Sequence, residues 1–285
     1  MSDPTPLAAA AARQWGLPDP VLIRTGMNSL FAAGDDVVLR VGRPAFPIAT
    51  ERAWMSLMSS HDVRVPRLLH DMNGGEGVSV VAIERIHPVG DIDWCATGAM
   101  VHRLHAIDPS AAPGLPWAGH FPHWQIESLL ADVRASIDSS ALAGIERCLR
   151  QWAGWQERLR EHLVVCHGDV HPGNVMQAAD GPVLIDWDLR CMAPAGWDHG
   201  PMLQWSEHWT TRWGGGPLAY DQFAQGYGVS LRDDWMTQAL SAMRMVIATL
   251  MRVRAGRTDV VAAAEAERRL RYWRGDPDAP LWDPQ

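Results

Sequence analysis

The stretch Leu163–Arg190 reads LVVCHGDVHPGNVMQAADGPVLIDWDLR. An apolar, β-branched run from Leu163 to Cys166 has the length and composition of a buried strand. His167-Gly168-Asp169 follows at once, and Pro172-Gly173 then forces a loop that ends in Asn174. A second apolar run, Val183 to Ile185, leads into Asp186-Trp187-Asp188. Two strand-like segments thus present Asp169, Asn174 and Asp186 from their ends and from the loop between them. One acid in such a set can orient a hydroxyl and accept its proton, while an amide oxygen and a second acid can hold Mg²⁺ on a nucleotide.

Protein kinases carry H-R-D-x-x-x-x-N followed by D-F-G. Here Gly168 stands where the Arg would be, and Asp186-Trp187-Asp188 replaces D-F-G. HGDVHPGNV and LIDWD resemble the catalytic and metal-binding motifs of the aminoglycoside phosphotransferase and choline kinase-like family, which shares the protein-kinase fold. The resemblance is strongest over residues 163 to 200, weaker from 21 to 110 and thin elsewhere. It implies an α+β chain: a small antiparallel sheet with one helix over residues 1–86, for nucleotide binding, and a larger, mainly helical catalytic and substrate-binding lobe over 87–285. It also implies ATP or GTP with Mg²⁺. Asp169 becomes the group that orients the acceptor hydroxyl, Asn174 and Asp186 the metal ligands, and His167 a brace for the loop. Asp188 assists the metal or its waters, and Asp198, after the break at Pro194–Trp197, supports the loop from below.

The N-terminal third has the punctuation of a β-meander. Val21–Arg24, Ser29–Ala33 and Val37–Val41 read as strands around turns at Thr25–Asn28 and Gly34–Asp36. Val65–Leu69 leads into a fourth strand, Asn73–Gly77 is a turn, and Val78–Ile83 is a fifth. By the resemblance, Asn28 and Ser29 lie where kinases cover the phosphates, although a single Gly26 makes a poor glycine loop. Arg40 occupies the strand position of the phosphate-contacting Lys, and Glu51, in a helix over Ala49–Ser59, the position of the acid that orients it. Arg brings a planar fork where Lys is a point charge. Glu84 and Ile86 fall at the hinge that would hold the base by its backbone.

Composition narrows the chemistry. All 25 basic residues are Arg and there is no Lys, which excludes a P-loop Lys, a Schiff-base Lys and a Ser-Lys dyad. The net charge of −8 lies almost entirely in residues 91–230, which carry 8 Arg against 16 acids. That excess favours a cationic small molecule over nucleic acid as partner. No apolar run has the length of a membrane span. The alanine-rich start (Leu7–Ala12) lacks the basic flank of a signal peptide. Cys95, Cys148, Cys166 and Cys191 contain no CxxC pair, as expected of a reduced, cytoplasmic protein.

In the C-terminal part, helical periodicity marks Ile92–Ile107, Trp124–Ile137, Leu142–Leu163, Asp233–Val253 and Asp259–Trp273, with a Pro-rich tail from Asp276. His102 and His105 could ligate metal, but a packed helix is the commoner meaning of that spacing. Trp152 and Trp155 read as packing. Trp205, Trp209 and Trp213 recur every four residues. They are either core or, with Glu207, the wall of a pocket for a cationic substrate; Asp221, Asp233 and Asp234 are nearby acids.

Three functions fit these residues. The first is an O-phosphotransferase acting on a small molecule: an aminated antibiotic, or alternatively choline or an amino sugar. The second is a metal-dependent hydrolase using His167, Asp169 and His171, which leaves Pro172 and Asn174 without a role. The third is a silent kinase-fold binding protein.

Overall fold

The computed structural model describes residues 3–26, 28–112, 114–120 and 125–284. It divides into two compact units, one of Met1–Asp91 with Met176–Asp188, the other of Ile92–Val175 with Leu189–Gln285.

The first unit opens with a helix that the sequence reading did not anticipate, α1 (Thr5–Trp15), which ends at Gly16 in the left-handed region. Its alanines form a small-residue face: Ala8, Ala11 and Ala12 pack on Phe31, Leu39, Val41, Val80 and Ala82. The sheet beneath comprises β1 (Val21–Thr25), β2 (Ser29–Ala32), β3 (Val37–Gly42), β4 (Leu68–Gly75) and β5 (Val78–Glu84), antiparallel in the order β1-β2-β3-β5-β4. Helix α2 (Ile48–Ser60) lies between β3 and β4 in sequence. The expected turn at Asn73–Gly77 is shorter than its composition suggests. β4 runs on to Gly75, and the chain reverses at Glu76 and Gly77, both at positive φ (49° and 76°), as a two-residue hairpin turn requires. Alternation along β3 buries Val37, Leu39 and Val41 and turns Arg40 to the other face.

The second unit begins with α3 (Trp94–His105), α4 (Ile126–Val133), α5 (Ser139–Gln151) and the short α6 (Trp155–Arg158). Strand β6 (Val164–Cys166) follows; after β7 (Val175–Ala178) and β8 (Gly181–Leu184), the unit resumes with β9 (Cys191–Ala193), α7 (Gly196–His208), α8 (Ala219–Tyr227), α9 (Trp235–Ala255) and α10 (Val260–Arg274). The long helix expected over Leu142–Leu163 is two helices. The Asp138 carboxylate caps α5 through the Ser140 and Ala141 amides, and Gly154 at φ 85° breaks the chain before α6. Trp124 lies outside the described residues. Asp234 and Asp259 cap α9 and α10, so these carboxylates serve helix starts. α9 packs against α4, α5, α7 and α10 and is the axis of this unit.

The tail is not a loose end. Trp282 is buried, and its amide donates to the His208 carbonyl at 2.8 Å while its carbonyl accepts from Thr210 at 2.9 Å. The hairpin β7–β8 belongs with the first unit. There Arg64 donates to the Gly181 carbonyl at 2.9 Å and Leu184 donates to the Arg64 carbonyl at 3.0 Å. No helix among the described residues is long and apolar enough to cross a membrane.

Candidate active site

Each unit presents one group of the residues singled out in the sequence. In the second unit, β6 pairs with β9 (Cys166 opposite Cys191) and feeds directly into His167-Gly168-Asp169. The loop rests on Asp198, fully buried in the first turn of α7. The Asp198 carboxylate accepts the His167 amide at 2.9 Å, the Gly168 amide at 2.7 Å and His105 Nε2 at 3.0 Å. Burial acts to raise its pKa, but the His105 hydrogen bond and charge, with the Gly168 amide, hold it below the usual carboxylate range. His105 Nδ1 in turn meets the Tyr227 hydroxyl at 2.9 Å.

Both ring nitrogens of His105 are therefore used, which removes the His102/His105 pair as a metal site. His105, Cys166 and Asp198 do bring ligand-type atoms within 4.8 Å of one another. Asp198 is already saturated, however, and burial pushes the Cys166 thiol well up, keeping it protonated.

Gly168 explains the departure from H-R-D. It sits at φ 91°, and a side chain there would strike the Leu189 carbonyl. His167 is buried and its Nδ1 accepts the Asp169 amide at 3.2 Å, so it shapes the loop. Among the described residues the ligand atoms of His167, Asp169 and His171 do not converge as a group that could hold a metal, against the hydrolase reading.

Asp169 is partly exposed, and both of its oxygens have partners. Asn174 donates its amide nitrogen to the Asp169 carbonyl at 3.0 Å and to Oδ2 at 3.2 Å, and His171 Nε2 lies 3.5 Å from Oδ2. Oδ1 is taken by Arg244 of α9, which also donates to the Gly168 carbonyl at 3.2 Å. Burial pushes the Asp169 pKa up; Arg244 and His171 outweigh it and hold the carboxyl well below its ordinary value. Arg244 has no place in the motif. The sequence signal that could have found it is a lone charge in the apolar run of α9, RMVIATLM.

In the first unit, Arg40 Nη1 meets Asp188 Oδ1 at 2.9 Å and the Asn28 amide donates to Asp188 Oδ2 at 3.3 Å. The carboxylate at salt-bridge distance from Arg40 is thus one that arrives with β8, while Glu51 sits half-buried in the first turn of α2. Ser29 is fully buried in β2, its hydroxyl turned into the protein. Glu84 accepts from Arg67 Nε at 3.0 Å, and Ile86 is half-buried just beyond β5. Asp186 lies at φ 63°, an uncommon conformation for a non-glycine residue that is often found where function demands it. The turn after it is pinned by Trp187, buried edge-on to Trp54 at 5.4 Å.

The tryptophan stripe divides. Trp205 (5% exposed) and Trp209 (7%) stack on each other at 4.2 Å. Arg269 and Trp282 close over Trp209. Both rings are core by burial. Glu207 is bound by Arg232, which also holds Asp221 at 2.7 Å. Glu207 lines a cavity of about 340 Å³ with Arg147, Gln151, His208, Gln238 and Tyr272, which no residue of the catalytic loop reaches.

The sequence profile of the phosphotransferase enzyme family matches residues 27–243. The chain belongs to that family. It is a phosphotransferase by that membership. Comparison with curated sequences gives no match. Among solved structures, the phosphotransferase is similar to a spectinomycin phosphotransferase, APH(9)-Ia, in complex with ADP and spectinomycin (TM-score 0.67, 15% identity, covering 98% of this chain and 96% of that one). The GDP and kanamycin complex of an APH(2″) enzyme gives TM-score 0.71 at 15% identity, over 93% and 97%. An amicoumacin kinase with AMP-PNP and Ca²⁺ gives 0.66 at 15%, over 96% and 95%. These likenesses establish the protein-kinase-like α+β fold of the phosphotransferase.

Proposed function

We propose that this phosphotransferase moves the γ-phosphate of ATP or GTP to a hydroxyl of a small molecule, an antibiotic of the aminated type being the first choice and choline or an amino sugar the alternative. Asp169 orients the hydroxyl and takes up its proton as the bond to phosphorus forms. Its carboxylate is ionised and fixed by Arg244 and Asn174, so its contribution is orientation more than basicity. Arg40, held by Asp188 and Asn28, meets phosphate oxygens with two donors from one plane. Glu51 supports it, while Glu84 and Ile86 mark where the base is held. Residues 1–86 are the nucleotide-binding lobe and 87–285 the catalytic and substrate-binding lobe of this reading.

The residues also fit Mg²⁺. The Asn174 amide nitrogen is spent on Asp169, and among the described residues no donor reaches its oxygen, the end that ligates a hard cation. Asp186 is an exposed carboxylate in a fixed, strained conformation. Asn174 and Asp186 would hold the ion, which neutralises charge on the phosphate oxygens. A cytoplasmic location suits a nucleotide-dependent enzyme with four free cysteines.

The observation that carries this reading is Asp198 accepting two successive loop amides, which fixes Asp169 beside Asn174. The test is ADP release with Mg²⁺-ATP and Mg²⁺-GTP across aminoglycosides, other hydroxylated antibiotics, amino sugars and choline. Turnover with one member, falling about a hundredfold or more in Asp169→Ala, is expected. Failure of both nucleotides to raise the melting temperature would sink the reading at its first step.

A further inference from the structure

Among the described residues Trp213 is the one exposed tryptophan, at 39%. It belongs to a short turn, Thr211–Trp213, that lies against the catalytic loop. A side chain added at Gly173 would come within 2.9 Å of the Trp213 ring and 2.8 Å of His171 Cε1. His171 is the residue whose Nε2 lies 3.5 Å from the Asp169 carboxylate. The indole is backed by the core, since Trp205 stacks on both Trp213 (5.6 Å) and His171 (4.9 Å). Its turn is tied down where Trp94 Nε1 donates to the Gly214 carbonyl at 3.0 Å and where Arg212 meets Asp283 at 3.3 Å. A rigid aromatic ring in water, one side chain away from the hydroxyl-orienting carboxylate, is costly for a surface and useful for a site.

Most of the nearby acids that would recognise a polyamine are otherwise engaged, Asp233 being the exception. Glu207 and Asp221 are both held by Arg232, Asp234 caps α9, Asp283 holds Arg212, and Arg244 sits on Asp169. The charges closest to the loop are thus paired within the unit, and a flat apolar ring, Trp213, stands uncovered beside it.

Resting on the phosphotransferase reading above, we propose that Trp213 is the acceptor platform. The acceptor is a hydroxylated ring, a sugar or an aromatic alcohol, that lays one face on the Trp213 indole and offers its hydroxyl to Asp169. Recognition comes from the ring face more than from the number of amines. A ringless alcohol such as choline lacks the surface to be held.

The test uses the full-length enzyme with Mg²⁺-ATP and four acceptors: spectinomycin, kanamycin, phenyl β-glucoside and choline. At least one ring-bearing alcohol should be turned over and choline should not, the glycoside arm separating an aromatic from a sugar face. Trp213→Ala should raise the KM for that acceptor about tenfold, the worth of one stacked ring, with kcat and the nucleotide KM unchanged. Trp213→Phe should restore most of it. The side chain is exposed, and an unchanged melting temperature will show that the variants fold. Equal use of choline, an unchanged acceptor KM in Trp213→Ala, or no turnover of any ring while Mg²⁺-ATP still stabilises the protein would each overturn the platform. Absence of any stabilisation by Mg²⁺-ATP would instead remove the phosphotransferase reading, and this one with it.

Discussion

Arg40 Nη1 lies 2.9 Å from Asp188 Oδ1, and both side chains are largely shielded from water. In a chain without lysine, this pair keeps the planar fork of Arg40 fixed on the sheet face opposite the core. Arg40→Ala should raise the KM for Mg²⁺-ATP by tenfold or more while leaving the acceptor KM alone. Arg40→Lys should recover only part, because an ammonium on a flexible stem cannot donate from one plane. Full recovery by Lys would show that charge alone matters.

Arg244 should act on turnover and not on binding. A charge-assisted hydrogen bond contributes about 1.5–3 kcal/mol, so losing the one to Asp169 in Arg244→Met is expected to lower kcat roughly 10- to 100-fold. Arg244→Lys should rescue a part, with both KM values within a few fold. A variant with normal kcat would mean that the carboxylate is positioned by Asn174 and His171 alone.

His199, behind Asp198, is predicted to set an acid limit on stability. Burial and the neighbouring His105 push its pKa down to about 3, opposed by Asp198. Its Nδ1 faces the Tyr220 hydroxyl at 3.2 Å, its ring lies against Phe223 and Tyr227, and its Nε2 has no hydrogen-bond partner. The unfolded chain binds a proton near pH 6.5 that the folded one refuses. Stability is therefore full above that value and declines by about 1.4 kcal/mol per pH unit as pH falls toward 3. Urea unfolding between pH 7.5 and 5 should show that slope, and His199→Gln should flatten it.

Arg269 and Glu265 form an ion pair at 2.9 Å with almost no exposure, and the guanidinium lies over Trp209 at 4.7 Å and Trp282 at 5.0 Å. Removing one partner of a buried pair strands the other charge. Arg269→Ala should cost about 3 kcal/mol or more in urea unfolding. The double variant Glu265→Gln, Arg269→Met should recover part of the loss. If the single variant is as stable as the parent, water reaches the pair.

The strands and the catalytic loop were legible because their signals are local. Alternation marks β3, and Pro172-Gly173 between two apolar runs fixes where Asp169 and Asn174 stand. What was missed acts at long range. Arg244 joins Asp169 from 75 residues away, and Asp188 reaches Arg40 across 148; no periodicity encodes either meeting. The alanines of α1 carry little hydrophobic contrast, so their helix was invisible until the sheet that they cover was in place. The stripe Trp205, Trp209, Trp213 has one spacing but two fates, because α7 ends at His208 and only Trp213 lies on the turn beyond it.

The first unit takes Met176–Asp188 from far down the chain, with β8, Trp187 and Asp188 among its parts. On the ribosome, the sheet emerges long before the hairpin that completes it. At translation rates of roughly 5–20 residues per second, the β1–β5 meander waits on the order of 5–20 s for its last segment. During that interval Arg40 has no Asp188 and Trp54 no Trp187, and the unit is a substrate for chaperones and proteases more than an enzyme half. A gene cut after residue 91 should therefore yield a fragment that aggregates, and supplying residues 176–188 through a linker should rescue it.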